Sequence, residues 1–135
     1  MRRILSGRIL DHEAWVGGHV HRGRLVLSPP SDLRLIIDTG FSGFLALPPA
    51  VIREMDLDLV GSEWHALADG SEMDPPIYAG TIQVGRAVQS GEIIPLGAEG
   101  LVGMAFLERL GDELQFLFRR RRVGLFADWP RRRSR

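Results

Sequence analysis

Cysteine is absent from the 135 residues, and so is lysine, all 17 Lys+Arg positions being arginine. Without thiols the chain has no disulfide, no thiolate metal site and no cysteine nucleophile, a composition compatible with a reducing compartment. Long apolar runs are also missing. Met1-Arg2-Arg3 is followed by only Ile4 and Leu5 before polar residues resume, so no signal-peptide core or membrane span begins there. A cytoplasmic location with no membrane partner is the default expectation. Net charge is lacking too: 17 acidic residues balance the 17 basic ones, which removes the global field that draws nucleic acid to a protein. The arginines do cluster, at 119–122 and in 131–135. Such clusters neutralise phosphates in nucleic-acid arms, but in a neutral chain residues 130–135 read as a disordered, solvated basic tail, and nucleic acid is not an expected partner.

What is present suits a folded domain. Hydrophobic residues make up 44% and charged residues 25%, the balance of a chain that buries a core. Splitting 135 residues in two would leave neither half enough apolar surface, so one domain spanning 1–135 is expected.

Short apolar segments punctuated by turn residues argue for strands. Ile4 to Val16 and Arg24 to Leu27 read as two or three strands, with Gly17-Gly18 as a turn signal between them. Leu33 to Ile37 is an apolar run of strand length that ends at Asp38, and Phe44 to Leu47 is a second one after a glycine-bracketed turn. Pro49 suits the first position of a helix over Ala50 to Met55. Strands follow at Ser62 to Leu67 and Tyr78 to Val84, with Asp69-Gly70 marking a hairpin tip. Ile93 to Leu96 and Leu101-Val102-Gly103 are further short strands, Met104 to Leu110 has helical spacing, and Leu114 to Phe118 and Val123 to Phe126 close the chain. The pattern is mostly β with one or two short helices, a closed or folded-over sheet rather than a doubly wound one.

The chemistry centres on Leu35-Ile36-Ile37-Asp38-Thr39-Gly40-Phe41-Ser42-Gly43. An ionised carboxylate beside Ile and Leu is costly to bury unless it is paired or hydrogen-bonded, and costs of that kind mark functional sites. The plain alternative is an aspartate that starts a turn. His12, His19, His21 and His65 lack a third ligand at recognised spacing, so no metal is expected. Ser42 lacks the Gly-x-Ser-x-Gly setting of a nucleophile elbow, and Gly70, Gly80 and Gly85 match no phosphate loop, so no cofactor is expected.

Apolar-apolar-Asp-Thr-Gly after a strand resembles the active-site signature of aspartic proteases. The surroundings of Asp38-Thr39-Gly40 agree with that family in order: the apolar strand ending at Leu47-Pro48, the hairpin Leu67-Ala68-Asp69-Gly70-Ser71, and Gly100-Leu101-Val102-Gly103 before a helix. The chain is similar to small bacterial single-domain members of the retropepsin-like (clan AA) group, over roughly residues 4 to 126. It departs from the retroviral enzymes in carrying Phe41-Ser42-Gly43 after the motif.

The resemblance implies a retropepsin-like β barrel that acts as a two-fold homodimer. Its activity would be that of an aspartic endopeptidase, with water activated by two Asp38 carboxylates, one per subunit, on a peptide or protein substrate. It further implies that Thr39 and Gly40 shape the active-site loop and that Gly103 supports it from behind. Leu67, Ala68, Asp69 and Gly70 would form a flap over the substrate. Phe41 and Ser42 would lie by the substrate, although a core position for Phe41 fits as well. The terminal strands, Ile4 to Leu10 and Leu114 to Phe126, would build the dimer interface. The alternative is a dimer of the same fold that binds extended peptides but cleaves them weakly or not at all.

Overall fold

The computed structural model describes residues 1–62, 65–66 and 68–128, and strands dominate it. In chain order the elements are β1 (Arg2–Leu10), β2 (Glu13–His21), β3 (Arg24–Val26), β4 (Leu33–Ile37), β5 (Leu45–Leu47), α1 (Pro49–Met55) and β6 (Asp58–Ser62). There follow β7 (His65–Ala66), β8 (Glu72–Met73), β9 (Pro76–Val84), β10 (Ala87–Pro95), β11 (Gly100–Val102), α2 (Met104–Leu110), β12 (Glu113–Leu117) and β13 (Arg122–Ala127). Leu67 and the tail 130–135 lie outside the described residues.

Seven strands close a barrel in the order β2-β3-β9-β10-β5-β11-β4, with β4 pairing back onto β2. Closure is possible because β2 changes partner along its length. Glu13 to Trp15 pair with β1, Trp15 to Gly18 with β4, and His19 to His21 with β3. Strands β1, β13 and β12 extend from β2 as a side sheet, in which β13 lies between β1 and β12. The N- and C-terminal strands are therefore partners within one chain, from Arg2↔Ala127 to Arg8↔Arg122.

Alternation in the sequence becomes alternation of burial. On β2, Ala14, Val16 and Gly18 point inward, and on β9, Gly80, Ile82 and Val84 do. Strand β5 is buried at all three positions, as expected of a strand covered on both faces. At the centre, Phe106 of α2 meets Phe44 edge-on with ring centroids 5.3 Å apart. Leu25, Leu35, Leu45, Leu47, Ile82 and Ile93 pack in the same cluster with essentially no exposure. Each such side chain contributes about 1.5–3 kcal/mol of burial, so this cluster fixes the barrel.

One turn expectation is overturned. Gly17 and Gly18 are not a turn but lie inside β2, opposite Arg34 and Leu33. A Cβ on Gly17 would sit 2.0 Å from Ser31 Oγ, so glycine is there to let the 28–32 loop cross the strand. The real turns are two-residue hairpins at Asp11-His12 (φ 51 and 65) and Arg22-Gly23 (φ 51 and 76). Both have the left-handed pair that matches the twist of the flanking strands. The first breaks the 4–16 segment, where Asp and His hold the strained conformation without glycine.

Candidate active site

Asp38 stands immediately after β4, an outer strand of a three-strand crossing. β11 runs between β4 and β5, parallel to the first through Gly100↔Leu35 to Val102↔Ile37 and antiparallel to the second through Leu101↔Ala46 and Val102↔Leu45. The chain thus leaves β4 at Asp38, loops through Phe44 and returns on β5 on the far side of β11.

That loop is tied down by backbone hydrogen bonds to residues 102–105. Asp38 N–H donates to Val102 O at 3.0 Å, Gly103 N–H to Phe44 O at 3.0 Å, Met104 N–H to Phe41 O at 2.8 Å and Ala105 N–H to Gly43 O at 3.2 Å. The last two donors belong to the first turn of α2, whose amides have no partner within the helix. They are satisfied by the carbonyls of the Asp38 loop, so helix and loop hold each other. Each bond is worth about 1 kcal/mol net, and leaving any of these groups buried and unpaired would cost more.

Close approach is what makes Gly103 necessary. A Cβ there would lie 2.0 Å from Gly43 O and 2.8 Å from Phe41 Cδ2. The Phe41 ring folds back over both Gly43 and Gly103, covering the crossing. It is half-buried in this packing, while Ser42 is exposed.

Within the loop, Gly40 N–H donates to Asp38 Oδ1 at 2.9 Å and Phe41 N–H to Asp38 O at 3.1 Å. The carboxylate is half-buried and one oxygen is held. Among the described residues Oδ2 accepts no hydrogen bond. Asp38 and Thr39 open on a depression bounded by Ile36 and Leu101 from the barrel, His12 from the β1–β2 turn, Glu13 from the start of β2, and Phe116 from β12. Of the residues singled out in the sequence, the fold brings together Asp38, Thr39, Gly40, Phe41 and Gly103. His12, Glu13 and Phe116 were not singled out for this place. Their only sequence signals were a polar pair at a strand break and an aromatic on an alternating strand.

Ala68, Asp69 and Gly70 form the tip of a separate hairpin. β6 pairs with the first part of β9, down to Ser62↔Pro76, and β7 pairs with β8 through His65↔Met73 and Ala66↔Glu72 in the same register. The β7–β8 ladder leads to a tip at Asp69. Gly70 takes φ 86, and Ser71 donates to Asp69 Oδ1 from both its hydroxyl and its amide, the latter at 2.9 Å. These bonds, the hydroxyl's first, hold the exposed Asp69 carboxyl below its ordinary value of 3.8. Every residue of β6 is exposed, Leu59 and Val60 included.

No protein-family model, curated protein or solved structure matches the chain. Among the described residues no helix is long and apolar enough to cross a membrane.

Proposed function

We propose that the protein is an aspartic endopeptidase of the retropepsin-like kind, assembled as a homodimer in which each subunit contributes Asp38. The observation that carries this reading is the construction of the Asp38 loop. Four backbone hydrogen bonds to residues 102–105 fix it, Gly40 holds Oδ1, and Oδ2 is left open on a surface depression. A carboxylate needed only to start a turn requires the Gly40 bond alone.

One such carboxylate is half of a hydrolytic site. Two held together share a single proton, because like charges at close range do not both ionise. The ionised member takes a proton from water as that water's oxygen bonds to the peptide carbonyl carbon, while the protonated member gives its proton to the carbonyl oxygen. Proton return to the amide nitrogen then lets the C–N bond break. With one Asp-Thr-Gly in the chain, the pair comes from two-fold association, which places the same patch of both subunits on the axis.

Support for an association surface comes from β12, which pairs only with β13 among the described residues. Its Phe116 stacks at 6.1 Å on Phe118, which follows the strand in the turn and is 74% exposed. Phe116 also borders the Asp38 depression, so a partner seated on this edge would adjoin the carboxylate. The hairpin tipped by Asp69-Gly70 would close over an extended peptide, adding backbone hydrogen bonds and excluding water.

The test is turnover of a peptide library by the full chain, read together with sedimentation. Cleavage by a dimer, blocked by a statine-type inhibitor, is expected. A dimer that binds peptides without cutting them would replace this reading with the binding module, and a strict monomer with no turnover would sink both.

A further inference from the structure

A second hollow shares no residue with the Asp38 depression. We propose that it binds a compact multivalent anion, a phosphate or pyrophosphate group borne by a small molecule. Its walls carry Arg2 and Arg3 from β1, Arg86 from the β9–β10 turn and Arg109 from α2. Three separate elements thus deliver four guanidinium groups to one hollow, and among the described residues no Asp or Glu lines it. Nothing in the composition forces this, since acids and bases are equal in number.

The four groups are not equivalent. Arg109 is anchored, donating from Nη1 to Ser90 O at 3.1 Å with its guanidinium 4.9 Å from the Phe44 ring centre. It supplies a fixed positive wall. Arg2, Arg3 and Arg86 are exposed and take part in no ion pair among the described residues. Guanidinium forks match phosphate oxygens in pairs, a geometry that lysine lacks. Gln89, half-buried, adds an uncharged amide beside them.

The floor is apolar. Val84 and Leu110 are 4% and 5% exposed, and Ile4 and Ala87 flank them. A ligand with an uncharged organic part beside its anionic group fits such a floor better than a bare ion does. The hollow measures about 520 Å³, within the roughly 300–1,000 Å³ of small-molecule pockets. A compact hollow lined from three elements favours a small phosphorylated molecule over a nucleic-acid strand, which is tracked by an extended basic groove.

This site stands independently of the protease reading, and the experiment does not use turnover. Calorimetric titration of the full chain at low salt with pyrophosphate should show one site per chain. Arg3→Gln with Arg86→Gln should weaken it at least about tenfold, and Arg86→Gln alone, on an exposed turn, about threefold. A control pair, Arg119→Gln with Arg120→Gln on the β12–β13 turn, should change it by less than about twofold. Phenyl phosphate should bind more tightly than inorganic phosphate. The proposal is overturned by absence of binding, by equal loss in the control pair, or by affinity that survives both cavity variants. Tighter binding of a short single-stranded oligonucleotide than of pyrophosphate, lost in the same cavity variants, would overturn it in favour of a nucleic-acid surface.

Discussion

Asp38 and Asp69 make the same local turn. In each, the backbone N–H two residues on donates to Oδ1 at 2.9 Å, and each is followed within two residues by a glycine. Their surroundings have nothing in common. Behind Asp38 stand β11, the first turn of α2 and the Phe44–Phe106 core. Among the described residues only Ser71 bonds to Asp69, and a Cβ on Gly70 would touch nothing within 4 Å. An aspartate-glycine turn is therefore common property, and what separates a candidate catalytic carboxylate from a loop tip is how much of the protein is committed to holding it.

Substitution at the two aspartates is the strongest way to break the comparison. Asp38→Asn, which preserves the Oδ1 acceptor, should lower peptide turnover by about 10²–10⁴-fold, the range of general acid–base contributions. Asp69→Asn should cost less than about threefold, since in the proposed enzyme the tip would contribute position rather than proton transfer. Thermal unfolding of both variants should match the wild type, separating chemistry from folding.

The glycines sharpen it next. Gly103→Ala forces a methyl into the Gly43 carbonyl and should destabilise the fold by about 3 kcal/mol, as overpacking of a rigid site does. Gly70→Ala meets open space and only its φ of 86 opposes it, a cost of about 1–2 kcal/mol confined to the hairpin. Urea unfolding measures the first, and hydrogen exchange across 65–73 the second.

Acid titration probes the smallest difference. The folded value of Asp69 lies below the ordinary 3.8 because Ser71 bonds to the ionised form. The tip's stabilisation is therefore complete above the unfolded value and is lost as pH falls through the lower folded one. Ser71→Ala should move the carboxyl resonance midpoint of Asp69 up toward 3.8 and leave turnover near neutral pH unchanged. A midpoint that does not move would remove the Ser71 hydroxyl as the main cause.

Local signals made much of this legible in the sequence. Leu33 to Ile37 is β4 as expected, Pro49 opens α1, and Met104 to Leu110 is α2, each bounded by residues whose backbone preferences are intrinsic. The glycines misled where they serve neighbours distant in the chain. Gly17 answers Ser31, so it looked like a turn and proved to be strand. Conversely Asp11-His12 and Arg121 turn with positive φ and no glycine, where pairing of the flanking strands overrides the preference of the residue. The bordering of Asp38 by His12, Glu13 and Phe116 was hidden for the same reason. It arises from β1, β2 and β12 meeting through pairings that no short window of sequence contains.

The central claim is that an active site takes Asp38 from each of two chains. Its most direct test is peptide turnover in mixtures of wild type and Asp38→Asn, equilibrated at fixed total concentration so that subunits exchange. If both carboxylates are needed, activity follows the square of the wild-type fraction, and an equal mixture retains about a quarter of the wild-type rate. A linear dependence, with about half the rate retained in that mixture, would contradict the account.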